Sequence, residues 1–108
     1  MKRPYETVVV FDGTQNDDVL AREQGTIEEF LKKNAQFDKT LVWGKRQLAY
    51  EIRRKRLGCY CLFLYTGEGD VVSRLEASIR LNQNILRHLT VLHEDKARAA
   101  ANGEGGHQ

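Results

Sequence analysis

The 108-residue sequence predicts an α+β domain in the chain order β-α-β-β-α-β. Two observations point to it: four β-branched, aromatic or alternating segments, and two segments whose apolar residues recur at helical spacing. Turn signals separate them, with Asp12-Gly13-Thr14 closing the first strand and Gly67-Glu68-Gly69 the third. The composition, 41% hydrophobic and 30% charged with one Pro and nine Gly, fits one soluble globular domain. No apolar run approaches the roughly 18–20 residues that span a bilayer, and the polar N-terminus lacks an apolar targeting stretch. Those features predict a cytoplasmic protein with no membrane partner.

Tyr5 to Phe11 is β-branched and aromatic and predicts an inner strand. Next, Val19, Leu20, Ile27, Phe30 and Leu31 fall at helical spacing, with acids near the start and Lys32-Lys33 near the end, as a helix dipole prefers. Asp17 or a neighbour is the expected cap. Leu41 to Ile52 predicts a strand whose phase changes, since Leu41 and Trp43 are apolar on odd positions and Leu48, Tyr50 and Ile52 on even ones. A regular strand cannot put both sets on one face, so a bulge is expected at Gly44. Arg53 to Arg56 predicts a four-residue basic turn. Cys59 to Tyr65 is apolar or aromatic throughout and suits a central strand with side chains wanted on both faces. Asp70 is the expected cap of a second helix, with Val71, Val72, Leu75, Ile79 and Asn82 on one face. Ile85 to Leu92 predicts the last strand. The order is that of a ferredoxin-like split β-α-β sandwich: a four-stranded antiparallel sheet with two helices on one face. Residues 1–93 form this predicted domain, and 94–108, without large apolar residues, a disordered polar tail.

Seventeen Lys and Arg against fifteen Asp and Glu leave a formal charge of +2, but the charges are segregated. Asp12 to Glu29 holds six acids and one base, a local −5; Lys45 to Arg56 holds six bases and one acid, a local +5. Lys45, Arg46, Arg53, Arg54, Lys55 and Arg56, with Tyr50 among them, occupy a predicted hairpin, where cations neutralise phosphates and Arg forks onto them. Lys2, Arg3, Arg80 and Arg87 are expected to extend that patch, and Tyr5 and Tyr50 to stack or pack beside it. The bland alternative is a solvated hairpin whose charges protect an edge strand.

Other chemistry is poorly supported. Cys59 and Cys61 lie two apart on a strand, at the edge of disulfide reach with Cα atoms roughly 6.5–7 Å apart, and no second Cys pair or paired His completes a zinc site. His88, His93 and His107 accompany no nucleophile signature, and Gly67-x-Gly69 lacks the rest of a phosphate cradle. Neither a cofactor nor a small-molecule substrate is expected.

Gly44-Lys45-Arg46-Gln47-Leu48-Ala49-Tyr50-Glu51-Ile52-Arg53 resembles the signature of the bacterial small-subunit ribosomal protein six family. Arg3-Pro4-Tyr5-Glu6-Thr7 and Arg80-Leu81-Asn82-Gln83-Asn84-Ile85-Leu86-Arg87-His88-Leu89 are similar to its two other blocks, so the resemblance covers about residues 3 to 93. Departures are Asn34–Asp38 in place of a Gly-Gly turn, Cys59 and Cys61 where Tyr and Val are commoner, and His88 in place of an aromatic. The resemblance implies a ferredoxin-like fold and a non-enzymatic role in the small ribosomal subunit. It also implies binding to the platform, the central domain of small-subunit (16S) ribosomal RNA, jointly with ribosomal protein eighteen. The sheet face without helices is then the expected seat of the protein partner, with the acidic first helix turned away from RNA. Two rivals share the topology. An RNA-recognition module carries Lys/Arg-Gly-aromatic-Gly/Ala in its third strand, unlike Arg56-Leu57-Gly58-Cys59. A small acyl-phosphate hydrolase needs an anion-cradling loop after the first strand, where Asp12 to Asp18 is acidic.

Overall fold

The computed structural model describes residues 1–93; the predicted tail, 94–108, with His107, lies outside the described residues. Strand β1 (Arg3–Asp12) is followed by α1 (Asp17–Asn34), β2 (Gln36–Ile52), β3 (Lys55–Gly67), α2 (Gly69–Arg80) and β4 (Ile85–Leu92). All pairings are antiparallel and the strand order is β2-β3-β1-β4, the predicted sandwich.

Register sorts the side chains between two faces. Val9 pairs with Cys61 and Phe11 with Cys59. These four join Phe63, Tyr65 and Ile85 in one buried cluster with Leu20, Ile27 and Leu31 of α1 and Val71, Leu75 and Ile79 of α2. Alternation sends Val10, Leu62, Leu64, Leu41, Leu89 and Val91 to the other face, which carries no helix. Between the layers, the Thr7 hydroxyl lies 2.8 Å from both the Tyr65 and the Thr90 hydroxyls, so three polar groups enter the core already paired.

Several boundaries differ from expectation. Strand β2 begins at Gln36 rather than Leu41, because β3 runs on to Gly67 and pairs Phe37 with Tyr65 and Gln36 with Thr66. The chain enters β2 directly from α1, through Ala35, whose N–H donates to Leu31 O at 2.8 Å. The predicted bulge is present: register shifts between Val42 and Gly44, and Gly44 has φ +90°, which a side chain would strain. The basic turn is two residues rather than four. Ile52 pairs with Lys55, so only Arg53 and Arg54 form the loop, and Lys55 and Arg56 belong to β3. Neither helix has a side-chain cap: Asn16 and Glu68 occupy the N-cap positions without a capping bond, and Asp70 sits in the first turn of α2, 3.6 Å from Arg74. Asn82 lies beyond α2, in the turn to β4.

Candidate nucleic-acid interface

Asp12, the last residue of β1, pairs with Gly58, so the β2–β3 hairpin runs past the end of its central neighbour. The overhang does not project freely. Adding a Cβ to Gly58 would place it 2.6 Å from Val10 Cγ1 and 3.0 Å from Leu48 Cδ2, so the helix-free face closes tightly beneath the hairpin. The tip folds back over β1 onto the start of β4. There Arg53 Nη1 donates to Ile85 O at 3.2 Å and Gln83 O at 3.5 Å, and the Arg87 guanidinium sits 5.4 Å above the Tyr50 ring centroid. Arg80 arrives from the end of α2. Arg53, Arg80, Arg87 and His88, with Ile79, Ile85 and Leu86, line an open cleft of about 300 Å³.

The other predicted cations divide into paired and free. Lys45 Nζ lies 3.4 Å from Asp17, Lys55 Nζ 3.1 Å from Asp12 and Arg56 Nε 3.0 Å from Glu51. Among the described residues Arg46 and Arg54 have no such partner. Exposed pairs of this kind are worth little, about 0–1 kcal/mol, so an incoming phosphate can displace them. Asp12 differs, because it is buried. Burial alone raises its pKa, but Oδ1 accepts from Thr14 N (3.0 Å) and Thr14 Oγ1 (2.7 Å), and Oδ2 from Gln15 Nε2 and Lys55; these outweigh burial and hold the carboxyl at about 2. The loop after β1 thus spends its donors on its own carboxylate, unlike an anion cradle.

Two expectations are corrected. Lys2 and Arg3 do not extend the hairpin patch: Arg3 pairs with Gly67 at the opposite end of β1, about 30 Å away for a ten-residue strand. The acidic and basic segments are not held apart either, since Asp12 and Asp17 meet Lys55 and Lys45 at the base of the hairpin. Tyr5 packs with Tyr65 (ring centroids 5.9 Å apart), whereas Tyr50 is 57% exposed. The helix-free face is apolar and partly open, with Leu89 61%, Val91 42% and Leu41 39% exposed. It offers aliphatic side chains where base-stacking sheets carry aromatics; Tyr60 alone is aromatic on the β3 stretch Gly58–Leu64 of that face.

Cys59 and Cys61 are free thiols, both buried under α1, and burial first, then the neighbouring Cys59, pushes the Cys61 thiol up to about 12. Among the described residues no cluster of ligand-type side chains suits a metal. Sequence reasoning missed a polar clamp. The Glu23 carboxylate accepts from the side-chain amides of Asn82 and of Asn84 (3.1 Å), Asn84 N donates to Asn82 Oδ1 at 2.9 Å, and Asp12 N donates to Asn84 O at 2.7 Å. The clamp ties α1, β1 and the α2–β4 turn together beside the arginine cleft. Its sequence signal was the Asn-x-Asn between helix and strand, a turn signature.

The sequence model of the family described as Ribosomal protein S6 matches residues 4–92. The chain is 38% identical over 105 residues to the small ribosomal subunit protein bS6 of Synechocystis sp., covering 90% of this chain and 93% of that one. It is 34% identical to the bS6 of Corynebacterium urealyticum, over 87% of this chain and 99% of the relative. Among solved structures, the 30S ribosomal protein S6 of Thermotoga maritima superposes with a TM-score of 0.88 at 20% identity, covering 96% of this chain and 99% of that one. An uncharacterized protein of the same organism shares the fold at a TM-score of 0.57 and 13% identity, covering 86% of this chain and 99% of that one, so fold alone does not carry a function.

Proposed function

The chain belongs to the ribosomal protein S6 family, and from that premise we propose that it binds the platform, the central domain of 16S ribosomal RNA, jointly with ribosomal protein eighteen. Membership makes it a structural component of the small ribosomal subunit, not an enzyme, and its place of work the bacterial cytoplasm. Among the described residues no helix is long and apolar enough to cross a membrane.

The observation that carries the RNA reading is that Arg53, Arg80 and Arg87 line one cleft where the hairpin folds onto β4, with Arg54 next to Arg53 in the hairpin loop. Arginine there supplies both charge and planar, forked donors for phosphate oxygens. The protein partner is assigned to the helix-free face, whose exposed Leu89, Val91 and Leu41 form an apolar surface of the kind that marks association. Tyr50 and Arg87 border both regions.

Binding to a central-domain 16S fragment, with and without ribosomal protein eighteen and across a salt series, tests the reading. The parent is expected to bind with a negative salt slope, more tightly with the partner present. Replacing Arg53, Arg54 and Arg56 together by Glu should weaken binding and flatten the slope. If that triple variant binds as tightly as the parent with the same slope, the basic hairpin is not the RNA surface.

A further inference from the structure

The geometry points to a chelating site for a trivalent arsenical, an apolar R–As=O compound, on the paired thiols of Cys59 and Cys61 in the cavity between α1 and β2. This inference is independent of the RNA reading. Residues two apart on a strand share a face, and the register sets Cys59 beside Lys45 and Cys61 beside Val42 of the edge strand β2. Both thiols line an open cavity of about 420 Å³, together with Phe11, Leu20 and Val42. Ala21 on the helix side and Gly44 on the strand side add little bulk, and Val42 is 54% exposed, so the cavity opens at the sheet edge. The Lys45–Asp17 pair, 3.4 Å across, links strand and helix at its rim.

The chemistry of the pair selects the ligand. Zinc needs about four ligands, and among the described residues no group of three or more ligand-type side chains comes together. A direct disulfide fits badly too, because same-face neighbours on a strand have Cα atoms roughly 6.5–7 Å apart, at the far edge of the usual range of about 4.4–6.8 Å. One bridging atom between the sulfurs relieves that limit. Trivalent arsenic with one carbon substituent has two further bonds to make, and thiol sulfur is a soft partner for it. As each As–S bond forms, an S–H bond and one of the two arsenic–oxygen bonds break. Both protons leave with the oxygen as one water, and arsenic stays trivalent. The product carries no charge, and that suits this site. Burial first, then Cys59 and the Glu28 carboxylate, disfavours a thiolate at Cys61, so a bound species that keeps a charge is penalised where a neutral dithioarsane is not. Its apolar substituent occupies the cavity. Alkylation, which consumes the thiolate, is slowed by the same burial.

Phenylarsine oxide is the probe. The native, reduced full chain is expected to take up one phenylarsenic group by intact mass spectrometry, with unchanged circular dichroism, and the group should map to the tryptic peptide that holds both cysteines. The urea midpoint of the adduct should be held or raised. A lower midpoint makes the unfolded chain the better ligand and overturns the cavity site. Cys59→Ala and Cys61→Ala are each expected to bind the probe about 10²–10⁴-fold more weakly, the advantage that a second, tethered bond confers. Circular dichroism checks that each variant is folded, and a further measurement needs no variant. On the parent, 2,3-dimercaptopropanol should strip the adduct at concentrations where mercaptoethanol does not. A single-cysteine variant that holds the probe as tightly as the parent, equal release by the monothiol, or an adduct that forms only in urea each overturns the proposal.

Discussion

Replacing Arg54 with Gly should stabilise the protein while weakening its hold on RNA. Arg54 occupies the second central position of the two-residue loop joining β2 to β3, at φ +66°, and has no hydrogen-bonding or ionic partner among the described residues. A loop with both central residues at positive φ needs the type I′ turn, for which Asn-Gly is the preferred pair and Arg-Arg an unfavourable one. Holding an L-residue in the left-handed region costs about 1–2 kcal/mol. Glycine removes that cost but gives the unfolded chain extra freedom, worth about 0.4–1 kcal/mol in the opposite sense. The net gain is therefore about 0.5–1 kcal/mol, or a rise in melting temperature of about 3–6 °C for a domain of this size. Arg53→Gly is the matched control. It relieves similar strain at φ +51° but cuts the bonds to Ile85 O and Gln83 O, so its stability should fall at or below the parent's. Urea and thermal unfolding of the three proteins, with m unchanged, measure the order. If Arg54→Gly is less stable than the parent, the turn is unstrained and the reasoning fails; if Arg53→Gly gains as much as Arg54→Gly, the tether to β4 contributes nothing.

Asp12 has its carboxyl lowered to about 2 from an ordinary 3.8, so its contribution is present above the unfolded value and lost as pH falls from about 4 to 2. That shift corresponds to about 2 kcal/mol of stability, and an acid titration of unfolding should show Asp12→Asn lacking this part of the parent's decline. Cys61, pushed up to about 12 and buried, should resist iodoacetamide at pH 8 in the native state and react fully in urea, as mass spectrometry would show. Glu23→Ala strands the Asn82 and Asn84 amides and should destabilise by about 1–3 kcal/mol in denaturant titration. A Cβ on Gly13 would lie 2.9 Å from the Leu57 carbonyl carbon, so Gly13→Ala should cost about 1–3 kcal/mol by the same measurement.

What was legible in the sequence was what periodicity encodes. The six elements, the inner position of β1 and the Gly44 bulge all follow from apolar spacing and one misplaced phase. The start of β2 was not legible because Gln36 to Thr40 is held by pairing with β3, a non-local property that leaves little trace in the segment itself. The basic turn was read too long because Lys55 and Arg56 look like loop residues, whereas the tight reversal at Arg53-Arg54 runs against residue preference. Of the site, the hairpin cations were visible as charge density, while Arg80 and Arg87 were joined to them by the expected fold, and the structure brings these two into one cleft with Arg53. The placement of Lys2 and Arg3 at the far end required knowing which way β1 runs relative to the hairpin. The Glu23 clamp joins residues some 60 positions apart, and the Asn-x-Asn turn signature marks one end of it without pointing to Glu23.

The near-neutral charge of +2 acquires a physical sense from this layout. A protein carrying an unopposed excess of cations binds nucleic acid wherever it meets it, because counterion release is indifferent to sequence and shape. Here Asp17 and Asp12 hold Lys45 and Lys55 at the base of the hairpin, and Glu51 holds Arg56. What remains without a carboxylate at the hairpin and cleft, among the described residues, is Arg46, Arg53, Arg54 and Arg87, with Arg53 fixed by carbonyls and Arg87 by an aromatic face. Long-range attraction is thereby reduced, while the forked donors that recognise a particular arrangement of phosphates stay available. Removing an acid should then have the opposite effect to removing a cleft arginine. Asp17→Asn frees Lys45 and raises affinity for any RNA, whereas losing Arg80 lowers affinity for the shaped site and barely changes binding to unrelated duplex. The ratio of the two affinities, measured in one salt series, separates general attraction from recognition.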